Sequence, residues 1–437
     1  MKIFPSFRYK FLGIRPVAAG MAALVLAGWG GQAGAAVKHV IHVSVDGLRG
    51  DFLKSLVQQP ASQYFTFARL QAEGAVTYNA RCDFSHSITI PNHTSMITGR
   101  PVLAGPGLPP EIQHGYLTNY TIITDLLQTQ GSPPGYKSST FDRVHDRGLR
   151  TALLVSKEKL SLFSRSYGPL HGAEDLDGED HGRNKIDLLQ ILEGRSAPLI
   201  ETLMTAMDGD FPAYTFLHMA EPDYAGHALG WTSEAWRAAV KGADAQLGQL
   251  MAALDARPAL KAVTAIVLTA DHGGGVPDNT HLDPVWLENC IIPVILWGGG
   301  IPAGTEAHSL FENRWDPGTA VVGNTYALQP LRNSDTGNIA MALLGLPPVE
   351  GSWHLPEFQP RLDILRNLAG KPVGSVTLRW PVYLGGWVLQ QSRSLEEDSW
   401  TATAGEPVVE GSFFSHTVNT QPETYWFFRL ARTPAAP

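Results

Sequence analysis

Two hydrophobic rhythms alternate along most of the chain. Residues 37–45 (VKHVIHVSV), 149–155, 212–219 (PAYTFLHM), 260–269 (LKAVTAIVLT) and 291–297 (IIPVILW) are short apolar runs rich in β-branched side chains, and they read as strands. Between them, residues 64–72, 138–147, 233–254 and 337–344 place apolar side chains three and four apart, the spacing of one helix face. Strands apolar throughout must be buried on both sides. Alternating with amphipathic helices, they predict an α/β fold, a mostly parallel sheet with helices on both faces. This region runs from residue 36 to about 372.

Beyond residue 372 the rhythm changes. Segments 376–380, 386–390, 411–416 and 424–430 are short, apolar and separated by turn-type residues, with no helical period. They predict a small all-β, sandwich-like accessory module over 376–432, with Trp380, Trp387, Trp400 and Trp426 filling its core. A surface or polymer contact through this module is left open. At the other end, Lys2, Arg8, Lys10 and Arg15 precede an apolar run over 17–27 and the small residues Ala33-Gly34-Ala35. That order reads as a signal peptide over 1–35, and the expected location is periplasmic or secreted. No later stretch is long and apolar enough for a transmembrane helix.

Composition narrows the classes further. With 437 residues, 44% hydrophobic and 17% charged, the chain can build a large core and is not disordered. A formal charge of −8 argues against binding to a nucleic-acid duplex, which needs a basic footprint. The only two cysteines, Cys82 and Cys290, exclude a disulfide-built scaffold and a cysteine zinc site; whether they pair is open. Any metal must therefore be held by Asp and His.

Those residue types fall at predicted strand ends. Asp46 follows the first strand in VSVDGL, Asp223 and His227 follow another in EPDYAGH, and Asp271 and His272 follow a third in TADHGGG. Parallel sheets bind ligands just beyond the carboxyl ends of their strands. One such Asp is usually a turn former or a helix cap; three strand ends carrying five ligand-type residues point to a metal site. Thr89 stands just before Pro91, where a short helix over 91–98 is predicted to begin and Gly99 to stop it. Its hydroxyl would sit at a helix N-terminus, a position that favours an alkoxide or a phosphate.

Taken in order, VSVDGL, TIPNHTSMITGR, EPDYAGH and TADHGG resemble the motifs of the alkaline phosphatase superfamily. The resemblance is to its nucleotide pyrophosphatase/phosphodiesterase-like branch, including exported bacterial proteins, and it spans about residues 38–350. It implies Thr89 as nucleophile and two divalent metal ions, zinc or alternatively manganese. One ion would be held by Asp46, Asp271, His272 and the Thr89 oxygen. The other would be held by Asp223, His227 and a later histidine, assigned to His281 over its competitors His308 and His354. The family's H-G-x-x-x-N setting is matched by residues 114–119, which makes Asn119 the stabiliser of the transferring phosphoryl oxygens together with the Ile90 N–H. Residues 105–110 lengthen the intervening loop relative to the family. His93 is expected to support the nucleophile helix from behind.

The implied activity is hydrolysis of small-molecule phosphodiesters or pyrophosphates through a phosphothreonine intermediate. Phosphomonoesterase, phosphonate hydrolase and phosphoryl-transferase activity are alternatives on the same fold. A catalytically silent secreted binding protein is the alternative from a different class.

Overall fold

The backbone of this chain is organised by eight strands whose carboxyl ends gather the chemistry. The computed structural model describes residues 37–175, 181–366, 375–384, 387–394, 396–410, 413–420 and 426–432, and the leader segment 1–35 lies outside them. The strands are β1 (His39–Val45), β2 (Ala75–Arg81), β3 (Thr151–Val155), β4 (Leu188–Ile191), β5 (Tyr214–Met219), β6 (Thr264–Thr269), β7 (Ile291–Gly298) and β8 (Thr305–Glu306). They form one sheet in the order β4-β3-β5-β1-β6-β7-β2-β8. Only β7 runs against its neighbours; the other ladders are parallel. The five predicted strands are present, four of them starting two to four residues late and the last one residue longer, and the α/β expectation holds.

β1, β5 and β6 lie side by side, and nearly every residue in them is buried. Their side chains alternate between two helical layers. On one side His42 bonds Thr336 at 2.8 Å, in the helix Asp335–Leu343, and Ser44 bonds His93 at 2.9 Å, in the helix Thr89–Thr98. The helix Phe65–Glu73 packs on β2, on β7 and on the helix Glu234–Asp255. These two helices are tied together by Asp244, whose carboxylate accepts the Thr66 and Phe67 amides at 3.2 and 2.7 Å and so caps the first helix from the second. Gly99 ends the helix Thr89–Thr98 in a left-handed conformation, as its sequence position predicts.

The C-terminal strands make two antiparallel sheets, with orders β13-β14-β10-β9 and β12-β11-β15. Here β9 is Asp363–Arg366, β10 Ser375–Pro381, β11 Trp387–Ser392, β12 Thr401–Ala402, β13 Val408–Glu410, β14 Phe413–Asn419 and β15 Phe427–Arg432. Because β9 pairs with β10, the all-β region begins upstream of residue 376. Trp380 is buried, but Trp400 and Trp426 are half-buried beneath the guanidiniums of Arg429 and Arg393 rather than filling a core. Tyr383 stacks on Phe358, which meets Phe311, joining these strands to the main body.

One buried ion pair fixes the helix Asp335–Leu343. Arg314 grips Asp335 through two hydrogen bonds of 2.9 and 2.6 Å, and the Arg332 amide donates to the same carboxylate. Burial alone would raise the Asp335 carboxyl, but Arg314 outweighs it and holds it below the ordinary value. A depressed carboxyl stabilises the fold above its unfolded pKa and ceases to do so as pH falls through the folded value. Asp335→Asn is expected to cost ~3–5 kcal/mol at neutral pH by leaving Arg314 unpaired. Urea midpoints of variant and wild type should converge below about pH 4.

Candidate active site

The three carboxylates come from the ends of three adjacent strands. Asp46 follows β1, Asp271 follows β6, and Asp223 lies in the first turn of the helix Glu221–Leu229 just after β5. One helical turn further on, His227 shares a face with Asp223. The β1 turn and this helix approach so closely that only glycine fits between them. Gly47 has φ +66, and a Cβ there would lie 3.0 Å from the Asp223 Cα. Trp231 braces the same turn by donating its indole N–H to the Gly47 carbonyl at 2.9 Å.

The predicted residues converge. His272 Nε2 is 3.0 Å from Asp271 Oδ2, 3.5 Å from Asp46 Oδ1 and 4.0 Å from Asp223 Oδ1. His227 Nε2 and His281 Nε2 are 3.5 and 3.7 Å from Asp223 Oδ1 and 3.1 Å from each other. His281 therefore completes the Asp223–His227 group. His354 instead lies buried near Asp335, and His308 bonds Glu306 at 2.9 Å.

The imidazoles share one orientation. Nδ1 of His227, His272 and His281 faces the carbonyl of Asn279, Gly273 and Ser87 respectively. A carbonyl only accepts, so each Nδ1 carries the hydrogen and, in the neutral ring, each Nε2 turns a lone pair inward. Two lone pairs 3.1 Å apart, beside a carboxylate oxygen, repel unless positive charge lies between them. Five buried polar atoms here have no hydrogen-bond partner: Asp46 Oδ1, Asp223 Oδ1, Asp271 Oδ2, His272 Nε2 and Thr89 Oγ1. Buried atoms of this kind are normally satisfied. The donor set thus fits divalent cations held by oxygen and imidazole.

Positive charge from the protein already leans into the cluster. The Lys157 ammonium is 2.7 Å from Asp46 Oδ2 and 2.5 Å from Asp223 Oδ2, almost wholly buried. His218 Nε2 reaches Asp46 Oδ2 at 2.9 Å, and its Nδ1 faces the Ser156 hydroxyl. Burial would push the Asp46 carboxyl up, but Lys157, His218 and His272 together hold it well below the carboxylate range. Burial likewise acts to lower His272, and the carboxylates around it, Asp271 first, outweigh that and raise it to about 9. The metal-free cluster draws a proton for the same reason it would draw a cation.

Thr89 opens its helix, fully buried, beside this cluster. His93 Nδ1 is 2.8 Å from the Thr89 carbonyl and 3.7 Å from Asp271 Oδ2, so one ring touches both segments. Asn119 arrives despite its lengthened loop, its Oδ1 accepting from the Ile90 amide at 3.1 Å and from Lys159 Nζ at 3.2 Å. Two donors on one side fix the amide's orientation and leave its NH2 to the site. The expected free Ile90 N–H is therefore corrected: it is spent on orienting Asn119.

Lys157, Lys159 and His218 escaped the sequence reading. Lys157 follows the end of β3, and the strand-end rule finds it once the search extends beyond metal-binding residue types. His218 sits within β5, where nothing distinguishes it from a core residue.

With the geometry of this centre established, the chain can be set against known proteins. Residues 130–317 match the family model described as type I phosphodiesterase / nucleotide pyrophosphatase. The match takes in Lys157, Asp223, His227, Asp271, His272 and His281, and it bears out the resemblance to that branch of the alkaline phosphatase superfamily. No curated protein matches the chain. Among solved structures, murine ectonucleotide pyrophosphatase / phosphodiesterase 5 is similar at 14% identity and a TM-score of 0.47, covering 71% of this chain and 96% of that one. The human protein of the same name is similar at 12% and 0.47, with the same coverage. A putative sulfatase from Bacteroides fragilis is similar at 14% and 0.45, covering 81% and 86%.

Replacing Lys157 by Met leaves Asp46 and Asp223 buried without their shared cation. In chelator, Lys157→Met should be destabilised by ~3–5 kcal/mol in urea unfolding, and added zinc should recover part of the loss. Unchanged stability in chelator would contradict this account of the site.

Proposed function

We propose that the chain is an exported two-metal phosphoester hydrolase of the phosphodiesterase/nucleotide pyrophosphatase type, with Thr89 as nucleophile. The observation that carries this reading is three buried carboxylates, each with an unpartnered oxygen, together with three imidazoles oriented through Nδ1 and an unpartnered threonine hydroxyl at a helix N-terminus. Asp46, Asp271, His272 and Thr89 would hold one cation, and Asp223, His227 and His281 the other. The mixture of imidazole and carboxylate favours zinc, with manganese the alternative. When bound, such cations supply Lewis acidity that lowers the hydroxyl pKa and neutralises charge developing on the phosphoryl group.

The chain's own groups do the rest. Thr89 Oγ passes its proton to water and attacks phosphorus, the P–O bond to the leaving alkoxide breaks and the alkoxide takes up that proton. A second water then adds to phosphorus, breaking the Oγ–P bond and returning a proton to Thr89. Asn119, through its free NH2, and Lys159 beside it would hold the non-bridging oxygens. Lys157 and His218 keep the Asp46 carboxylate aimed, while His93 holds the Thr89 backbone. Exposed apolar side chains follow directly on Asn119 (Tyr120, Ile122, Ile123) and on His281 (Leu282, Val285, Trp286). They favour a substrate with an organic second substituent, a diester over a monoester. Export rests on the leader over 1–35, so the mature chain would begin at Ala36.

The test is turnover of bis(p-nitrophenyl) phosphate against p-nitrophenyl phosphate, with metal content measured on the same samples. Thr89→Ala should lower diester turnover by at least ~10³-fold with metal retained, and His227→Ala should lose both. Retained turnover in Thr89→Ala would overturn the nucleophile assignment. A metal-loaded wild type that cleaves neither ester would favour the silent binding protein.

A further inference from the structure

The chain's only two cysteines lie outside the chemistry above, yet they meet. β2 and β7 pair antiparallel with Ala80 opposite Ile292 and Arg81 opposite Ile291. The next rung sets Cys82 opposite Cys290, and the Cys82 amide donates to the Cys290 carbonyl at 3.0 Å. Residues directly opposed in such a ladder point to the same face with Cα atoms about 4.5–5.5 Å apart, within the roughly 4.4–6.8 Å that a disulfide spans. Both side chains are buried. Their other neighbours are carbonyl oxygens: Asp83 and Asn289 for Cys82, Pro284 for Cys290. No third thiol competes for either partner.

We propose that Cys82 and Cys290 form an intramolecular disulfide when the chain folds in the presence of a disulfide oxidant. The thiolate of one cysteine attacks the oxidant's disulfide and releases a thiol. The other cysteine then displaces the second thiol from the mixed disulfide, so the pair loses two hydrogens and the oxidant becomes two thiols. Burial, followed by the neighbouring thiol, pushes the Cys82 thiol well above its usual range, so the exchange belongs to folding, before the sheet closes over it. Cys82 opens the segment that leads to Thr89, and Cys290 closes the segment that begins at His281. The Ser87 hydroxyl already bonds the His281 carbonyl across the same gap. The covalent tie would lock the base of the two loops that carry the nucleophile and this imidazole.

The experiment is peptide mapping of the full chain refolded with oxidised glutathione and alkylated without reductant. The expected result is a tryptic peptide beginning at Cys82 joined to the one containing Cys290, with no alkylated cysteine. Reduction should then lower the thermal midpoint of the wild type and leave a Cys82→Ala/Cys290→Ala double variant unmoved. Native-like protein with both cysteines alkylated, or each separately carrying glutathione, would overturn the proposal. The same map on chain exported into an oxidising compartment gives the answer independently of refolding yield. Neither outcome depends on whether phosphoesters are cleaved.

Discussion

Three carboxylates buried at the ends of neighbouring parallel strands are the constraint around which this molecule is arranged. Negative charge so concentrated and so far from water is tolerated only if positive charge is brought to it. The protein supplies one ammonium from Lys157 and an imidazole from His218, both on the far oxygen of Asp46. It leaves the near oxygens of Asp46, Asp223 and Asp271 without a hydrogen bond, open toward three histidine nitrogens. An arrangement optimised for stability alone would have paired those atoms. Their openness is a cost accepted for chemistry.

The surrounding fold reads as support for that arrangement. Gly47 lets the β1 turn and the helix after β5 come into contact, and Trp231 pins the turn from outside. Behind the nucleophile, Ser44, His93 and Asp271 form a polar path through an otherwise apolar layer, and the Arg314–Asp335 pair anchors the adjoining helix. Each Nδ1 held by a backbone carbonyl fixes its ring, so the nitrogens facing the centre are positioned by main chain rather than by mobile side chains.

Much of this was legible from residues alone, for a physical reason. β1, β3, β5, β6 and β7 are buried on both faces and therefore mostly apolar. β2 was missed because Thr77, Asn79 and Arg81 break the run and its ladder to β7 shifts register, and β4 because it is a half-exposed edge. The clustered Asp and His residues showed themselves by standing at strand ends in a combination that turn formation does not explain. Lys157 occupies the same kind of position but is not a metal ligand, so its role becomes visible only when the carboxylates it bridges are seen on either side of it. The orientation of the Asn119 amide is three-dimensional information that no spacing encodes.

The central claim is that two cations share the space these groups enclose, one of them against the Thr89 oxygen. Anomalous diffraction from crystals of the metal-loaded protein measures this directly. The account predicts two peaks about 4 Å apart, one among Asp46, Asp271, His272 and Thr89 Oγ1, the other among Asp223, His227 and His281. A single peak, or peaks lying beyond coordinating reach of the threonine hydroxyl, would contradict it.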